Sequence, residues 1–224
     1  GHNAMPARGG LANLSDAEMK AAVDRARELG ALLASDECYA ELGWGEWSKK
    51  LIPSVLDPRV CGESHEGVLA VYSLSKQSNL AGYRAAFAVG EASLIKGLVN
   101  LRMHSGLNTP GPVQKAMVVA LGDEDHVAVE KEIYRERREV LLDAVRAYGF
   151  RLAESQAGLY LWATLGEDCW KTVDRMAELG IVVVPGTFYG EHSTEFVRFS
   201  ITATDDKIAE GARRLRDAIG LSKA

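Results

Sequence analysis

The chain has 224 residues, of which 47% are hydrophobic and 25% charged, a composition typical of a globular protein with a sizeable core. Its net charge of −5 and its lack of a Lys- or Arg-rich block argue against a nucleic-acid or membrane-surface partner. The three cysteines form no CxxC pair and the five histidines lack ligand spacing, so neither disulfides nor a metal site are predicted. No apolar run reaches the roughly 18 residues that span a bilayer, and residues 1–5 do not resemble a signal peptide. We therefore expect a cytoplasmic protein.

The first half of the chain alternates between helix and strand signals. Ser15 and Glu18 form a capping-box pattern and Gly30 is a typical helix stop, which together predict a helix over 15–29. Continuous apolar runs predict strands buried on both faces at 31–35, 68–72 and 85–89, and helical spacing returns at 92–103. This alternation favours a parallel α/β sheet.

The second half has a different character. Helices are predicted at 113–121, 126–148, 170–179 and 205–219, and strands at 159–164, 181–184 and 196–202. The apolar face of the long helix is expected to contain Val140, Leu141, Ala144 and Val145. We predict two domains, residues 1–124 as part of a large α/β domain and residues 125–224 as a small α+β domain.

Polar clusters follow two of the apolar strands, and the carboxyl ends of such strands are where open α/β sheets bind ligands. The first cluster contains Asp36 and Tyr39, for which, taken on their own, the favoured interpretation is a helix cap and a packed aromatic. The second contains Ser73, Ser75 and Lys76. A lysine directly after an apolar strand is partly withdrawn from water, which favours the neutral amine that Schiff-base chemistry needs. An ordinary surface lysine, or a simple anion site, is the alternative interpretation.

Other prominent residues have plainer interpretations. Trp44, Trp47 and Trp162 could line a pocket, but packed tryptophans are more common. The charged run 130–138 is interpreted as a solvated helix face with ion pairs one turn apart, and a subunit contact is the minority interpretation.

The ordered set of motifs resembles a known family. Asp-x-x-Tyr at Asp36, Ser-x-Ser-Lys ending at Lys76, and an arginine eight positions later at Arg84 are similar to the fold type I aminotransferases of class I/II. The resemblance runs from residue 11 to residue 218 and includes a late Val-Arg-Phe-Ser strand with Arg198. SDECYAELGW and YSLSKQSNLAGYRAAFAVG are most similar to actinobacterial N-succinyldiaminopimelate aminotransferases. The implied fold is α/β, the aspartate aminotransferase fold type I, as a partial large domain followed by a small α+β domain.

The resemblance implies a pyridoxal 5'-phosphate enzyme with defined site residues. Lys76 would carry the cofactor through a Schiff base and then move the proton at the substrate α-carbon. Asp36 would keep the pyridine nitrogen protonated, and Tyr39 would donate to the phenolic oxygen.

The remaining implied roles concern anions. Ser73, Ser75 and Arg84 would hold the phosphate, and Arg198 would grip the substrate carboxylate in a bidentate pair. Without the family, Arg198 would be interpreted as a strand arginine with a packed stem and a solvated head.

The resemblance also implies what lies outside this chain. Family members are nearly twice as long and carry a glycine turn, a stacking aromatic and an Asn-Pro-Thr-Gly motif that this sequence lacks; the last would fall at positions 7–10. We expect a C-terminal piece of a homodimeric enzyme that transfers amino groups between an amino acid, N-succinyl-diaminopimelate in particular, and 2-oxoglutarate or glutamate in lysine biosynthesis. The alternatives are a β-lyase of the same fold and a truncated, non-catalytic remnant with a structural or binding role.

Overall fold

The computed structural model describes residues 10, 11 and 13–221, with side chains from 13 to 220. Positions 7–9, part of the Asn-Pro-Thr-Gly alignment, lie outside these residues. The strands are β1 (Gly10–Leu11), β2 (Leu33–Asp36), β3 (Val68–Ser73), β4 (Ala86–Gly90), β5 (Arg151–Leu152), β6 (Glu154–Ser155), β7 (Tyr160–Thr164), β8 (Val184–Pro185) and β9 (Phe196–Ser200). The helices are α1 (Asp16–Glu28), α2 (Pro58–Cys61), α3 (Leu74–Gln77), α4 (Ala92–His104), α5 (Gly111–Leu121), α6 (Glu124–Tyr148), α7 (Cys169–Glu178) and α8 (Asp205–Leu221).

The described chain forms two compact units. The first contains residues 13–130, and the second contains residues 10–11 and 131–221. The boundary falls within α6, which begins in the first unit and continues into the second. None of the described helices is long and apolar enough to cross a membrane.

The first unit is organised around a three-stranded sheet of order β2-β3-β4. β2 and β3 are parallel, but β3 and β4 are antiparallel, so the expectation of an all-parallel sheet is wrong for the last strand. Residues 74–85 reverse the chain through short helical turns, and the Leu74 amide donates to the Ala85 carbonyl (3.1 Å) across the base of this connection. A connection closed in this way returns the chain beside the strand it left, and this gives an antiparallel pair.

One face of this sheet carries the main core of the first unit. Met19 and Val23 on α1 pack with Val55, Val60 and Val68 in a buried cluster. The predicted capping box is present: the Glu18 amide donates to the Ser15 hydroxyl (3.3 Å), and the Ser15 amide donates to the Glu18 carboxylate (2.8 Å). Gly30 ends the helix with φ at +60°, a left-handed conformation that glycine adopts without a Cβ penalty.

The expectation that the strands are buried on both faces is wrong. Val71 on β3 and Val89 on β4 expose 37% and 45% of their surface, and Leu32 before β2 exposes half. An apolar run predicts a strand, but the layers that cover its faces come from elsewhere in a fold.

The second unit is built on an antiparallel sheet of order β5-β7-β9-β8, beside the short parallel pair of β1 and β6. Leu161, Val197 and Phe199 are almost fully buried between this sheet and its helices. On α6, Leu141, Ala144 and Val145 are buried as expected, whereas Val140 is 39% exposed and its predicted place in the apolar face is wrong.

The strand predicted at 181–184 is much shorter in the structure. Only Val184 and Pro185 pair with β9, because residues 181–183 follow the left-handed Gly180 that ends α7, and Val182 is 94% exposed. The strand predicted at 196–202 ends at Ser200, whose hydroxyl lies 2.7 Å from that of Thr202.

Candidate active site

The end of β2 separates two kinds of polar side chain. Ser35 and Glu37 are buried, and the Glu37 carboxylate accepts a hydrogen bond from the Val55 amide (2.7 Å). Asp36 lies between them and is exposed, because successive side chains of a strand point to opposite faces. One Asp36 oxygen accepts from the Cys38 amide (3.2 Å), which is the local turn expected of an aspartate at a strand end.

Lys76 lies on α3, a helix of four residues directly after β3. The Ser73 hydroxyl caps this turn by accepting from the Ser75 amide (3.2 Å). Leu74 and Gln77, three positions apart, are both buried, and the half-buried Lys76 therefore points away from the core. Its Nζ lies 5.8 Å from the centre of the Tyr39 ring, within the range of a cation–π contact.

Asp36 and Lys76 both influence the Cys38 thiol. Burial first, and then the hydrogen bond and negative charge of Asp36, raise the pKa of Cys38 to about 12, while the positive charge of Lys76 acts in the opposite direction. The thiol is therefore protonated at neutral pH. The carboxylate, the amine and the Tyr39 ring share one neighbourhood, as their positions after two adjacent parallel strands predict.

The predicted phosphate ligands are only partly brought together. The hydroxyls of Ser73 and Ser75 lie 2.8 Å apart, and Ser73 also reaches the Ala85 carbonyl (3.3 Å). Arg84 is exposed and donates to the carbonyl of Ala81 (3.0 Å) within its own turn. Its φ of 54° lies in the left-handed region, which is uncommon for a residue other than glycine.

Several residues near Lys76 gave no signal in the sequence. The Tyr72 hydroxyl donates to the Gln77 side chain (2.5 Å), and burial first, with nearby negative charges second, raises the pKa of this tyrosine. His126 and Glu130 on α6 contact the residues after Lys76. A histidine or glutamate in a charged helix is ordinarily solvated, so only the tertiary structure identifies these contacts.

Arg198 belongs to the second unit, on the central part of β9. Its guanidinium carbon lies 4.0 Å from the centre of the Tyr160 ring and 5.5 Å from that of Tyr189. Its Nε is buried without a hydrogen-bond partner. The stem of Arg198 is thus packed as the simpler interpretation of a strand arginine expects, but the head is stacked on aromatic rings.

The tryptophans follow the plainer interpretation in two cases. Trp44 and Trp162 are 3% and 2% exposed, and Trp162 stacks on Phe196 with ring centres 5.4 Å apart. Among the described residues, no three His, Cys, Asp or Glu side chains are grouped as a metal site would require.

A lysine-bearing turn after one sheet strand thus lies near a carboxylate that follows the parallel neighbouring strand. Residues 12–215 match the family of class I and II aminotransferases, and the chain belongs to that family, whose members use pyridoxal phosphate. This confirms the predicted fold class.

Three relatives make the similarity more specific. The chain is 50% identical over 202 residues to 4-dedimethylamino-4-oxo-anhydrotetracycline transaminase from Streptomyces rimosus, covering 90% of this chain and 55% of that protein. It is 34% identical over 202 residues to LL-diaminopimelate aminotransferase from Desulforudis audaxviator, covering 88% and 50%. The solved structure of N-succinyldiaminopimelate aminotransferase from Mycobacterium tuberculosis has a TM-score of 0.79 at 26% identity, covering 91% and 54%. The chain thus spans about half the length of the relatives it matches.

Proposed function

We propose that this chain is part of a pyridoxal-phosphate-dependent aminotransferase in which Lys76 carries the cofactor. The observation that supports this most directly is the Lys76 amine, held half-buried 5.8 Å from the Tyr39 ring and close enough to Cys38 to act on its thiol together with Asp36. When bound, pyridoxal phosphate supplies an aldehyde for the substrate amine and a ring that withdraws electrons from the substrate α-carbon.

The donor set fits this cofactor group by group. An amine suits the aldehyde, the Asp36 carboxylate suits a protonated pyridine nitrogen, and the Tyr39 phenol suits an anionic ring oxygen. The paired hydroxyls of Ser73 and Ser75 suit a phosphate, and Arg84 would complete this anion site by turning its guanidinium away from the Ala81 carbonyl.

The residues of this chain would then divide the work of one amino-group transfer. Lys76 would take a proton from the substrate α-carbon and deliver it to the C4′ carbon of the cofactor, so its Nζ must be free to alternate between amine and ammonium. Arg198 would bind the substrate carboxylate through its two terminal nitrogens, since its Nε is already enclosed against Tyr160. The donor amino acid becomes a keto acid, and 2-oxoglutarate becomes glutamate.

For the substrate, we propose N-succinyl-diaminopimelate, with a role in lysine biosynthesis in the cytoplasm and a homodimer as the full enzyme. The SDECYAELGW and YSLSKQSNLAGYRAAFAVG segments support this choice, as do the names of the diaminopimelate and N-succinyldiaminopimelate aminotransferases among its relatives. The 4-dedimethylamino-4-oxo-anhydrotetracycline transaminase is the more similar sequence, and the compound in its name carries a ketone at position 4. The substrate assay should therefore include a polycyclic ketone acceptor of this kind.

The first experiment tests the cofactor. The purified chain is titrated with pyridoxal phosphate, its absorbance is recorded before and after borohydride, and the reduced adduct is mapped by mass spectrometry. We expect the adduct on Lys76, its loss in Lys76→Ala, and its retention in Lys96→Ala, a control at an exposed lysine of α4. An adduct scattered over surface lysines would instead support the non-catalytic remnant.

The second experiment tests the reaction. The full enzyme is supplied with N-succinyl-diaminopimelate or LL-diaminopimelate and 2-oxoglutarate, and formation of glutamate is measured. The polycyclic ketone is supplied with glutamate as the amino donor, and formation of 2-oxoglutarate is measured. The β-lyase alternative is tested with an amino acid that carries a thiol leaving group on its β-carbon: keto acid and ammonia released from it without 2-oxoglutarate would contradict amino transfer and identify a β-lyase.

A further inference from the structure

The turn that carries Lys76 is too short to hold itself in place. α3 has only four residues, and an isolated helix needs on the order of 12 residues to be even marginally stable in water. On the upstream side the turn is fixed by the buried Leu74 and by the hydrogen bond from Tyr72 to Gln77. On the downstream side the amides of Ser78 and Leu80 donate to the Leu74 carbonyl (3.0 and 3.3 Å), which closes the turn on itself, so anchors to another helix must come from side chains.

The first turns of α6 supply these anchors. Ser78 Oγ and His126 Nε2 lie 2.8 Å apart, and the Asn79 side-chain amide donates to the Glu130 carboxylate (2.7 Å). His126 and Glu130 are four positions apart on α6 and therefore lie on one face of the helix. Two consecutive residues, the second and third after Lys76, are thus bound to one helix face within the first unit.

Asp123 orients this face. One of its carboxylate oxygens accepts from the amides of Asp125 and His126 (3.1 and 3.2 Å), which caps the start of α6. The other lies 3.4 Å from Nδ1 of the same histidine ring. With a proton on Nδ1 facing the carboxylate, Nε2 is the acceptor for the Ser78 hydroxyl. Both ring nitrogens are therefore engaged, and the ring direction is set by the helix cap.

The backbone at Asn79 indicates that the anchor is needed. Its φ is 53°, in the left-handed region that residues other than glycine seldom adopt, although asparagine tolerates it better than most. Such a conformation persists when surrounding contacts determine it. The hydrogen bond to Glu130 is a contact of that kind.

We propose that His126 and Glu130 are positioning residues for Lys76. By binding Ser78 and Asn79, they hold the downstream side of α3 and so direct the Lys76 amine toward the Tyr39 ring. We call the contacts among Ser78, Asn79, His126 and Glu130 the clamp, and the clamp is a property of the protein without cofactor. The inference rests on the proposed function only where it concerns binding of the cofactor to Lys76.

The test compares Glu130→Ala, Glu130→Gln and His126→Ala with the parent chain. Glu130→Gln keeps an acceptor oxygen for Asn79, and Glu136→Ala, at an exposed glutamate further along α6, is the control. Without cofactor, amide hydrogen exchange at residues 77–80 is expected to accelerate about tenfold or more in Glu130→Ala, the scale of a lost charge-assisted hydrogen bond, and by a smaller factor in His126→Ala, which loses a neutral one. Glu130→Gln should restore most of the protection.

With pyridoxal phosphate, the fraction of adduct trapped on Lys76 should fall in the two alanine variants and recover in Glu130→Gln. Equal exchange at residues 77–80 in Glu130→Ala and Glu136→Ala would overturn the clamp. Faster exchange with undiminished trapping on Lys76 would overturn the positioning role. Faster exchange in a chain that never traps cofactor on Lys76 would support the clamp and contradict the proposed function, so the two failures are distinguishable.

Discussion

Leu74 offers the clearest quantitative test of how the Lys76 turn is held. Its side chain is 0% exposed and packs with Ala85 and Met117 in a small cluster bordered by half-buried side chains. A buried Leu→Ala change costs about 2–5 kcal/mol, through lost transfer free energy and the cavity that remains. Because the half-buried neighbours can relax toward the cavity, we expect about 2–3 kcal/mol for Leu74→Ala.

Urea unfolding of the first unit provides the assay. With a denaturant slope of about 2 kcal/mol per molar, a loss of 2–3 kcal/mol lowers the midpoint by roughly 1–1.5 M. Leu74→Met keeps most of the volume and should lose under about 1.5 kcal/mol. Val118→Ala on α5, where the side chain is 74% exposed, should change stability by no more than about 0.5 kcal/mol. A Leu74→Ala midpoint no lower than that of Val118→Ala would refute the assignment of Leu74 as the anchor of α3.

Three further predictions concern other parts of the molecule. Gly186→Ala should destabilise the second unit by about 1–3 kcal/mol, because the new Cβ would lie 1.9 Å from the Ser193 carbonyl oxygen. Gly211→Ala should stabilise the protein by up to about 1 kcal/mol, because the new Cβ would meet open space on α8; thermal unfolding of the two variants provides the comparison. In the folded protein, the alkylation rate of the Cys38 thiol should still rise about tenfold per pH unit between pH 8 and 10, because its raised pKa keeps the thiol protonated there. In the unfolded chain the rate should level off over this range, and a plateau near pH 9 in the folded protein would contradict the raised pKa. In the full enzyme, Tyr160→Leu should raise KM for carboxylate substrates by about 3- to 30-fold, the range of one cation–π contact, with little change in kcat. Tyr160→Phe should behave as the parent does, and equal losses in both variants would exclude stacking of Arg198 on the Tyr160 ring as the cause.

The raised pKa of Cys38 determines how its ionisation changes the stability of the protein at high pH. The folded state keeps this proton up to about pH 12, whereas the unfolded thiol, with an ordinary value of 9.0, loses it earlier. Above the ordinary value the folded state binds more protons than the unfolded state, so stability declines as the pH rises through this window. Below that window the thiol contributes no pH dependence.

Elements with strong local signals were predictable from the sequence. α1 lies at 16–28 against a prediction of 15–29, because its capping box and its glycine stop act within a few residues of the chain. The long helix predicted at 126–148 runs from Glu124 to Tyr148, since its apolar spacing is sustained over many turns. Both signals are local, so no knowledge of the rest of the fold was needed.

Features set by non-local contacts were not predictable. The antiparallel direction of β4 depends on the short reversing connection that contains Lys76, which the apolar run at 85–89 does not encode. The charged run 130–138 is typical of a solvated face, and Arg135 does pair with Glu132 and Glu139, but Glu130 at the start of the run binds Asn79 instead. Nothing in a run of charges distinguishes the member that finds a partner fifty residues away.

The candidate site combines these two kinds of information. Asp36 and Lys76 come together because β2 and β3 are parallel neighbours whose register pairs Asp36 with Val71, and polar residues that end such strands lie at one edge of the sheet. That placement is encoded locally by two apolar runs and the motifs that follow them. The direction of the amine is a separate matter, because Lys76 sits on a four-residue turn that is fixed by Leu74 on one side and by α6 on the other. The motif residues therefore determine which chemical groups meet, while residues outside the motifs determine the direction of the Lys76 amine. Substitutions of motif residues should abolish binding of the cofactor to Lys76, whereas substitutions of the surrounding residues should reduce it by misaligning the amine.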